Sequence, residues 1–89
     1  MPAMQPDGIK TNVKAFILKE FLPGARPGEL TDSTPLISGG ILDSLATIKL
    51  LAFLEETYGM TFEAAEADVD HLNTVSDIAA LVAGKLARS

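Results

Sequence analysis

The 89-residue chain carries a net charge of −5, contains no cysteine and is 47% hydrophobic with few aromatic residues. This length supports one small domain with a single thin core, and the lack of cysteine excludes disulfides and thiolate metal sites. All of the net negative charge lies in residues 43–89, which argues against a nucleic-acid partner because such partners require clustered lysine and arginine.

The first part of the chain predicts a short tail followed by an amphipathic helix. Residues 1–8 are polar and contain proline, which is typical of a frayed tail. From about Gly8 to Phe21 apolar residues recur at helical spacing, with Asp7 as a candidate cap. The sequence shows neither a secretory signal nor an apolar run long enough to span a bilayer, so a cytoplasmic location and no membrane span are expected.

A long loop is predicted between this helix and the next. Residues 23–42 are rich in proline and glycine, which punctuate chains and end helices. Loops of this length are uncommon in small domains and are often functional. Leu30, Leu36 and Ile37 are the apolar residues expected to anchor the loop to the core.

The most informative residue stands where the loop gives way to the second helix, predicted from about Ser44 to Tyr58. Asp43 is a favoured N-cap, because its carboxylate can accept a hydrogen bond from a first-turn N–H. Ser44 then becomes the first helical residue, with an exposed hydroxyl in the positive field of the helix start. That position suits a phosphate-linked group, although Asp-Ser is also what an ordinary helix start contains.

The second helix is apolar on more than one face. One stripe consists of Leu50, Leu51, Leu54 and Tyr58. A second stripe consists of Leu45, Ile48 and Ala52. Since a helix that is wet on one side needs only one stripe, the second indicates either burial on most sides or a docking surface.

The remainder of the chain predicts two further helices and no strand. A short third helix is expected within Glu63–Asp70, with Phe62, Val69 and Leu72 facing inward. A fourth helix opens at Thr74, where Thr74 to Asp77 resembles a capping box. The elements together predict an all-α fold, a small four-helix bundle with three longer helices and one short helix.

Two other kinds of site are excluded by their own requirements. A calcium loop beginning at Asp68 would need glycine at its sixth position and glutamate at its twelfth, where this chain has Asn73 and Ala79. A serine hydrolase built on Ser44 would need a base and a nucleophile elbow, and His71 is the only histidine. No catalytic residues and no metal ligands are therefore assigned.

The string Asp43-Ser44-Leu45, with Gly39-Gly40 before it and the run from Leu54 to Gly59 after it, resembles the acyl carrier protein family. The resemblance covers about residues 9 to 86, and the acyl carrier domain is assigned to residues 9–88 after the tail 1–8. It implies that Ser44 carries 4′-phosphopantetheine donated by coenzyme A, and that Asp43 takes part in transferase recognition. The chain would then be a discrete, monomeric carrier and not an enzyme, holding an acyl or aminoacyl group as a thioester.

The resemblance also implies partners and the surfaces that meet them. The expected partners are a phosphopantetheinyl transferase, an acyl- or aminoacyl-loading ligase and synthase enzymes. The implied docking residues are Leu45, Ile48, Lys49, Glu55 and Glu56. A cleft that could hold the acyl chain would be lined by Leu50, Leu54, Phe62, Val69 and Leu72. A closed core that leaves the cargo in solvent stays open as the alternative.

The sequence departs from the fatty acid type of carrier. Ala46 and Lys49 occupy places that are commonly acidic in that type, and residues 41–47 look more similar to stand-alone carriers loaded by an adenylating ligase, including D-alanyl carriers. This departure favours a specialised polyketide, lipopeptide or amino acid pathway over housekeeping fatty acid synthesis. The alternative from a different class is a helical interaction module with an incidental Asp-Ser-Leu.

Overall fold

The computed structural model describes residues 6–88, which form four α-helices and two short 3₁₀ turns. The α-helices are α1 (Pro6–Glu20), α2 (Ser44–Tyr58), α3 (Val69–Leu72) and α4 (Val75–Arg88), and the 3₁₀ turns span Pro27–Glu29 and Ala64–Glu66. Three longer helices and one short helix confirm the predicted all-α bundle. Among the residues described, none of the helices combines the length and apolarity that a membrane crossing demands.

Two helix starts differ from the sequence prediction. α1 begins at Pro6, which suits a first helical turn because proline lacks the N–H that would be unpaired there. Asp7 therefore lies inside α1 and is not its cap, while residues 1–5 of the predicted tail fall outside the described residues. α3 begins only at Val69, because Asp68 caps it by accepting the His71 N–H at 3.0 Å.

The core is built from one stripe of each longer helix. α1 contributes Ile9, Val13 and Ile17, which are fully buried one helical turn apart. α2 contributes Ala46, Leu50 and Leu54, and α4 contributes Val75, Ile78, Ala79 and Val82. Burying each large aliphatic side chain stabilises the fold by about 1.5–3 kcal/mol. α1 packs most extensively against α4, so the first and last helices form the centre of the bundle.

The long loop supplies part of this core. Leu30 and Leu36 are buried, and the half-buried Ile37 packs against the core, as predicted. Leu42 is also buried, which the sequence analysis did not anticipate. The burial of Leu42 could have been predicted from its position directly before the Asp43 cap, because an apolar residue there commonly packs against the start of the helix.

Asp32 joins the loop to two helices. Its carboxylate lies 3.2 Å from Lys10 Nζ and 2.5 Å from Lys14 Nζ on α1. Its carbonyl accepts the N–H of Ser76 at 3.0 Å, in the first turn of α4. The hydrogen bond from Lys14, and after it that from Lys10, holds the pKa of the Asp32 carboxyl below its usual value of 3.8.

We expect this carboxylate to make the free energy of unfolding depend on pH in acid. Because its pKa is lower in the folded than in the unfolded chain, its stabilisation is present above the usual value of 3.8 and is lost as the pH falls through the lowered value. Urea unfolding at a series of pH values measures this loss. Asp32→Asn should show a shallower pH dependence of the free energy of unfolding between 3.8 and the lowered value, and equal slopes in the two proteins would contradict the assignment.

Aromatic and polar contacts fasten α2 to α1. The Phe53 ring on α2 stacks on the Phe16 ring with centroids 4.3 Å apart, and Phe21 meets Phe16 edge-on at 5.7 Å. Near the end of α2, the Tyr58 hydroxyl accepts a hydrogen bond from Asn12 Nδ2 at 2.7 Å. Gly59 then closes the helix in the left-handed conformation, with φ 65°, which confirms the predicted Tyr-Gly ending.

Candidate functional site

Ser44 is the first residue of α2, and its side chain is exposed. Asp43 precedes it with extended backbone, and its carboxylate accepts the Ala46 N–H at 2.8 Å. The Asp43 carbonyl also accepts hydrogen bonds from the Thr47 N–H at 2.9 Å and from the Thr47 hydroxyl at 2.8 Å. The predicted cap is confirmed, and it fixes the backbone on both sides of the Ser44 hydroxyl.

We expect Asp43→Ala to lower the free energy of unfolding by about 0.5–2 kcal/mol, because the Ala46 N–H loses its partner. Asp43→Asn is the matched control, since its side-chain oxygen can still accept that hydrogen bond. Thermal and urea unfolding of both variants measure the difference. An alanine variant as stable as the asparagine variant would show that the cap contributes nothing.

A groove of about 520 Å³ opens beside Ser44. It runs between α2 and α3 and is lined by Ile37, Leu42, Asp43, Ser44, Thr47, Ile48, Leu51, Ala67, Asp68 and Val69. The Ser44 hydroxyl therefore borders an open channel with several apolar walls. A long flexible group attached to this oxygen could lie along the groove, with its methyl and methylene groups against those walls.

The groove carries negative and not positive side chains. Asp43 and Asp68 line it, and none of the ten lining residues is a lysine or arginine. The hydrogen bond from the His71 ring, 2.7 Å from the Asp68 carboxylate, holds the pKa of Asp68 below its usual range, so Asp68 is ionised at neutral pH. The positive field of the α2 start offsets only part of this charge.

The predicted docking surface is largely exposed. Leu45 and Ile48 are 61% and 63% exposed, which is unusual for large aliphatic residues on a helix. Lys49 and Glu56 are exposed as well. These four residues follow Ser44 along α2, so a partner that reaches Ser44 could contact them.

Glu55 differs from the other predicted docking residues. It is half-buried, and its carboxylate accepts the Phe62 N–H at 2.8 Å. Further along, Glu66 Oε1 accepts hydrogen bonds from Lys85 Nζ at 2.8 Å and from the Glu63 N–H at 2.9 Å. These two acidic residues hold the wall of the groove opposite α2. The charge of Glu55 suggested a surface role, but its carboxylate is used within the fold.

The residues expected to line the acyl cleft differ in burial. Leu50, Leu54 and Leu72 are fully buried and belong to the closed core, so they line no open groove. Val69 was expected to face inward but is 45% exposed, because α3 starts at this residue and turns Leu72 toward the core instead. Phe62 lines a second groove of about 260 Å³. The two grooves share Ile48, Leu51 and Ala67, and they form one path along α2.

Three further residues shape the turn that leads to Ser44. A Cβ atom on Gly39 would overlap the Pro35 carbonyl oxygen, and Gly40 has a φ of 82°. Both positions thus require glycine for steric reasons. The Gly-Gly pair before the serine is a sequence signal that could have suggested this. Asn73, between α3 and α4, bonds to the same turn. No local pattern marked Asn73, because its partners are distant in sequence.

Comparison with known proteins identifies a family for this chain. The sequence model of the family described as "Phosphopantetheine attachment site" matches residues 17–82. The matched range contains the loop, Ser44 and every residue that lines the two grooves. No curated protein matches the chain.

Proposed function

The chain belongs to the phosphopantetheine attachment site family, and on that premise we propose that Ser44 is the residue that bears the phosphopantetheine. Members of this family carry 4′-phosphopantetheine covalently and act as carrier domains, not as catalysts. The predicted resemblance to acyl carrier proteins and the four-helix bundle of that type are confirmed. The protein is a carrier that interacts with a modifying transferase and with synthase or ligase enzymes.

The observation that carries the assignment of Ser44 is the position of its hydroxyl. It is exposed, stands on the first turn of a capped helix and borders a groove of about 520 Å³. The capped start keeps the hydroxyl at one place, which favours productive docking of an enzyme that must reach its oxygen. The adjacent groove offers room for the arm once it is attached.

The attachment reaction needs no base from this chain. The Ser44 Oγ would form a bond to the phosphorus that carries the pantetheine in coenzyme A, and the phosphoanhydride bond would break. Adenosine 3′,5′-bisphosphate would leave, and the hydroxyl proton would pass to a base on the transferase, which also holds the Mg²⁺. Once bound, the arm supplies a thiol that can hold an acyl or aminoacyl group as a thioester. The chain supplies position and recognition.

We assign partner docking to Leu45, Ile48, Lys49 and Glu56. Their exposure on one helix next to Ser44 supports this assignment. Apolar side chains at the centre of an interface contribute most of its affinity, and charges at its rim select among partners. Glu55 is left out of this set because its carboxylate binds the Phe62 N–H.

We further propose a specialised pathway, such as polyketide, lipopeptide or amino acid metabolism, and not housekeeping fatty acid synthesis. Of the two departures from the fatty acid type, Ala46 is buried, so packing explains it and it carries no information on partners. Lys49 is exposed and places a positive charge on the docking surface. The positive charge of Lys49 supports a partner other than the enzymes that recognise an acidic residue at this position. The monomeric state and the cytoplasmic location stay predictions.

Mass spectrometry tests the assignment of Ser44. The apo protein is incubated with coenzyme A, Mg²⁺ and a transferase of broad specificity, and fragment ions locate the added phosphopantetheine. An increment on Ser44 is the expected result. An increment on another residue would overturn the choice of Ser44, and a folded protein that gains no increment would overturn the proposal. Loading of the modified protein by candidate adenylating ligases or by a fatty acid synthase enzyme then identifies the pathway.

Lys49→Glu should leave the fold unchanged and alter the choice of partner. Lys49 is exposed, and exposed charges change association more than stability. We expect about a tenfold change in the kcat/KM of its own loading enzyme, an effect that shrinks at high salt. Arg26→Glu makes the same charge change at an exposed residue of the long loop and serves as the control. Equal loading of Lys49→Glu and wild type would remove Lys49 from the docking set.

A further inference from the structure

Asn73, between α3 and α4, connects these two helices to the turn that precedes Ser44. Its side-chain Oδ1 accepts the N–H groups of Ile37 at 3.0 Å and of Ser38 at 2.9 Å. Its Nδ2 donates to the Ser38 hydroxyl at 3.2 Å, and its main-chain carbonyl accepts the Leu36 N–H at 2.6 Å. One residue between α3 and α4 thus holds three consecutive residues of the loop.

The turn held by Asn73 leads directly to the helix start. The Leu36 carbonyl accepts the N–H groups of both Ile41 and Leu42 at 2.9 Å, and the Ile37 carbonyl accepts the Gly40 N–H at 3.1 Å. Residues 36–42 therefore form a closed turn whose first three residues are hydrogen-bonded to Asn73. The next residue is the Asp43 cap. The Ile37 side chain also lines the groove beside Ser44, so its position affects one wall of that groove.

We propose that Asn73 is a positioning residue for the modification of Ser44, an inference that rests on the proposed function. By fixing the turn at residues 36–42, Asn73 keeps the loop in the arrangement that the transferase recognises together with Ser44. Its role is to raise the fraction of molecules in which turn, cap and hydroxyl are presented together. It acts through the turn and does not contact the reacting oxygen.

Alanine is a clean replacement at this position. Asn73 has φ −75° and ψ −23°, which are ordinary helical values that alanine adopts without strain. Asn73→Ala removes three of the four bonds to the loop and leaves the Ile37 and Ser38 N–H groups without this acceptor. Asn73→Asp keeps an oxygen for both N–H groups and tests rescue by the conservative variant.

The experiment measures transferase kinetics and amide hydrogen exchange of the full-length apo protein. Asn73→Ala should lower only the fraction of molecules that present turn, cap and hydroxyl together. The KM of the transferase for the carrier should then rise about three- to tenfold, while its kcat stays the same. Amides of residues 37–43 should exchange faster, and those of α1 should not. Asn73→Asp should restore both readouts to near the wild-type values.

Val82→Ala separates positioning from a general loss of stability. Val82 is fully buried on α4 and belongs to the core, so its truncation destabilises the bundle without touching the turn. Assayed at a temperature where both variants are folded, Val82→Ala should keep the wild-type KM. If Asn73→Ala does not fold, Asn73→Ser replaces it in the same KM and exchange measurements. The short serine hydroxyl cannot accept hydrogen bonds from the N–H groups of both Ile37 and Ser38.

The outcomes distinguish this inference from the proposed function. A wild-type protein that gains no phosphopantetheine on Ser44 overturns the proposed function, while the exchange rates still report whether Asn73 holds the turn. Wild-type KM and exchange rates in Asn73→Ala would overturn the positioning role, although Ser44 stays the attachment site. An equal rise of KM in Val82→Ala would overturn it as well, since instability alone would explain the result.

Discussion

Ser44→Ala should abolish the attachment of phosphopantetheine and leave the melting temperature nearly unchanged. In the proposed function the attachment forms its new bond to the Ser44 Oγ, and alanine has no atom there to take its place. Stability should hold because Ser44 is exposed at the start of α2 and alanine is the better helix former. Intact-protein mass spectrometry after incubation with coenzyme A and a transferase measures the first effect, and circular dichroism during heating measures the second.

Ser38→Ala is the matched control for this experiment. Ser38 is an exposed serine in the turn that precedes the helix, and its hydroxyl accepts one hydrogen bond from Asn73. Its variant should still gain the full mass increment, because the position of Ser44 depends mainly on bonds to the main chain of the turn. Continued modification of Ser44→Ala would move the attachment site elsewhere, and loss of modification in Ser38→Ala would give the neighbouring hydroxyl a role not assigned to it.

Gly39→Ala should destabilise the protein by about 1–3 kcal/mol, as overpacking does elsewhere. The added Cβ would overlap the Pro35 carbonyl oxygen, which is a main-chain atom that cannot rotate away. Relief requires the turn at residues 36–42 to shift, and that turn holds the buried Leu36 and Leu42. Urea unfolding measures the loss, and slower modification of Ser44 should accompany it.

Gly24→Ala is the control for the glycine substitution. A Cβ on Gly24 meets no atom within 4 Å, and this glycine precedes the part of the loop that enters the core. Its free energy of unfolding should stay within about 0.5 kcal/mol of wild type, as for most surface substitutions. Equal stability of the two variants would show that the close approach at Gly39 is relieved without loss.

Helical periodicity predicted much of this fold. The helical spacing of apolar residues identified α1, whose buried face consists of Ile9, Val13 and Ile17. The Asp43 cap and the Gly59 ending could be predicted because both depend on residues within one turn of the chain. Local patterns carry this information since helices are stabilised by contacts between near neighbours.

The prediction failed at the start of α3 and at contacts that reach beyond one helical turn. Val69 was predicted to face inward, but the Asp68 cap delays α3 and leaves Val69 exposed. Glu55 is charged, as surface residues usually are, but its carboxylate accepts the Phe62 N–H within the fold. Asn73 serves a turn more than thirty residues away in sequence. Hydrogen bonds across such separations have no sequence period and become visible only in three dimensions.

From the packing of α1 on α4 we expect an order between synthesis of the chain and modification of Ser44. Because these helices lie at opposite ends of the sequence, a nascent chain that has been synthesised only as far as α2 already contains Ser44 but lacks the helix on which α1 packs. Contacts between distant segments form late, after the entropy of closing the intervening chain has been overcome. A transferase that recognises the folded turn would therefore act after translation of α4, so that attachment of the arm also marks a carrier whose folding is complete.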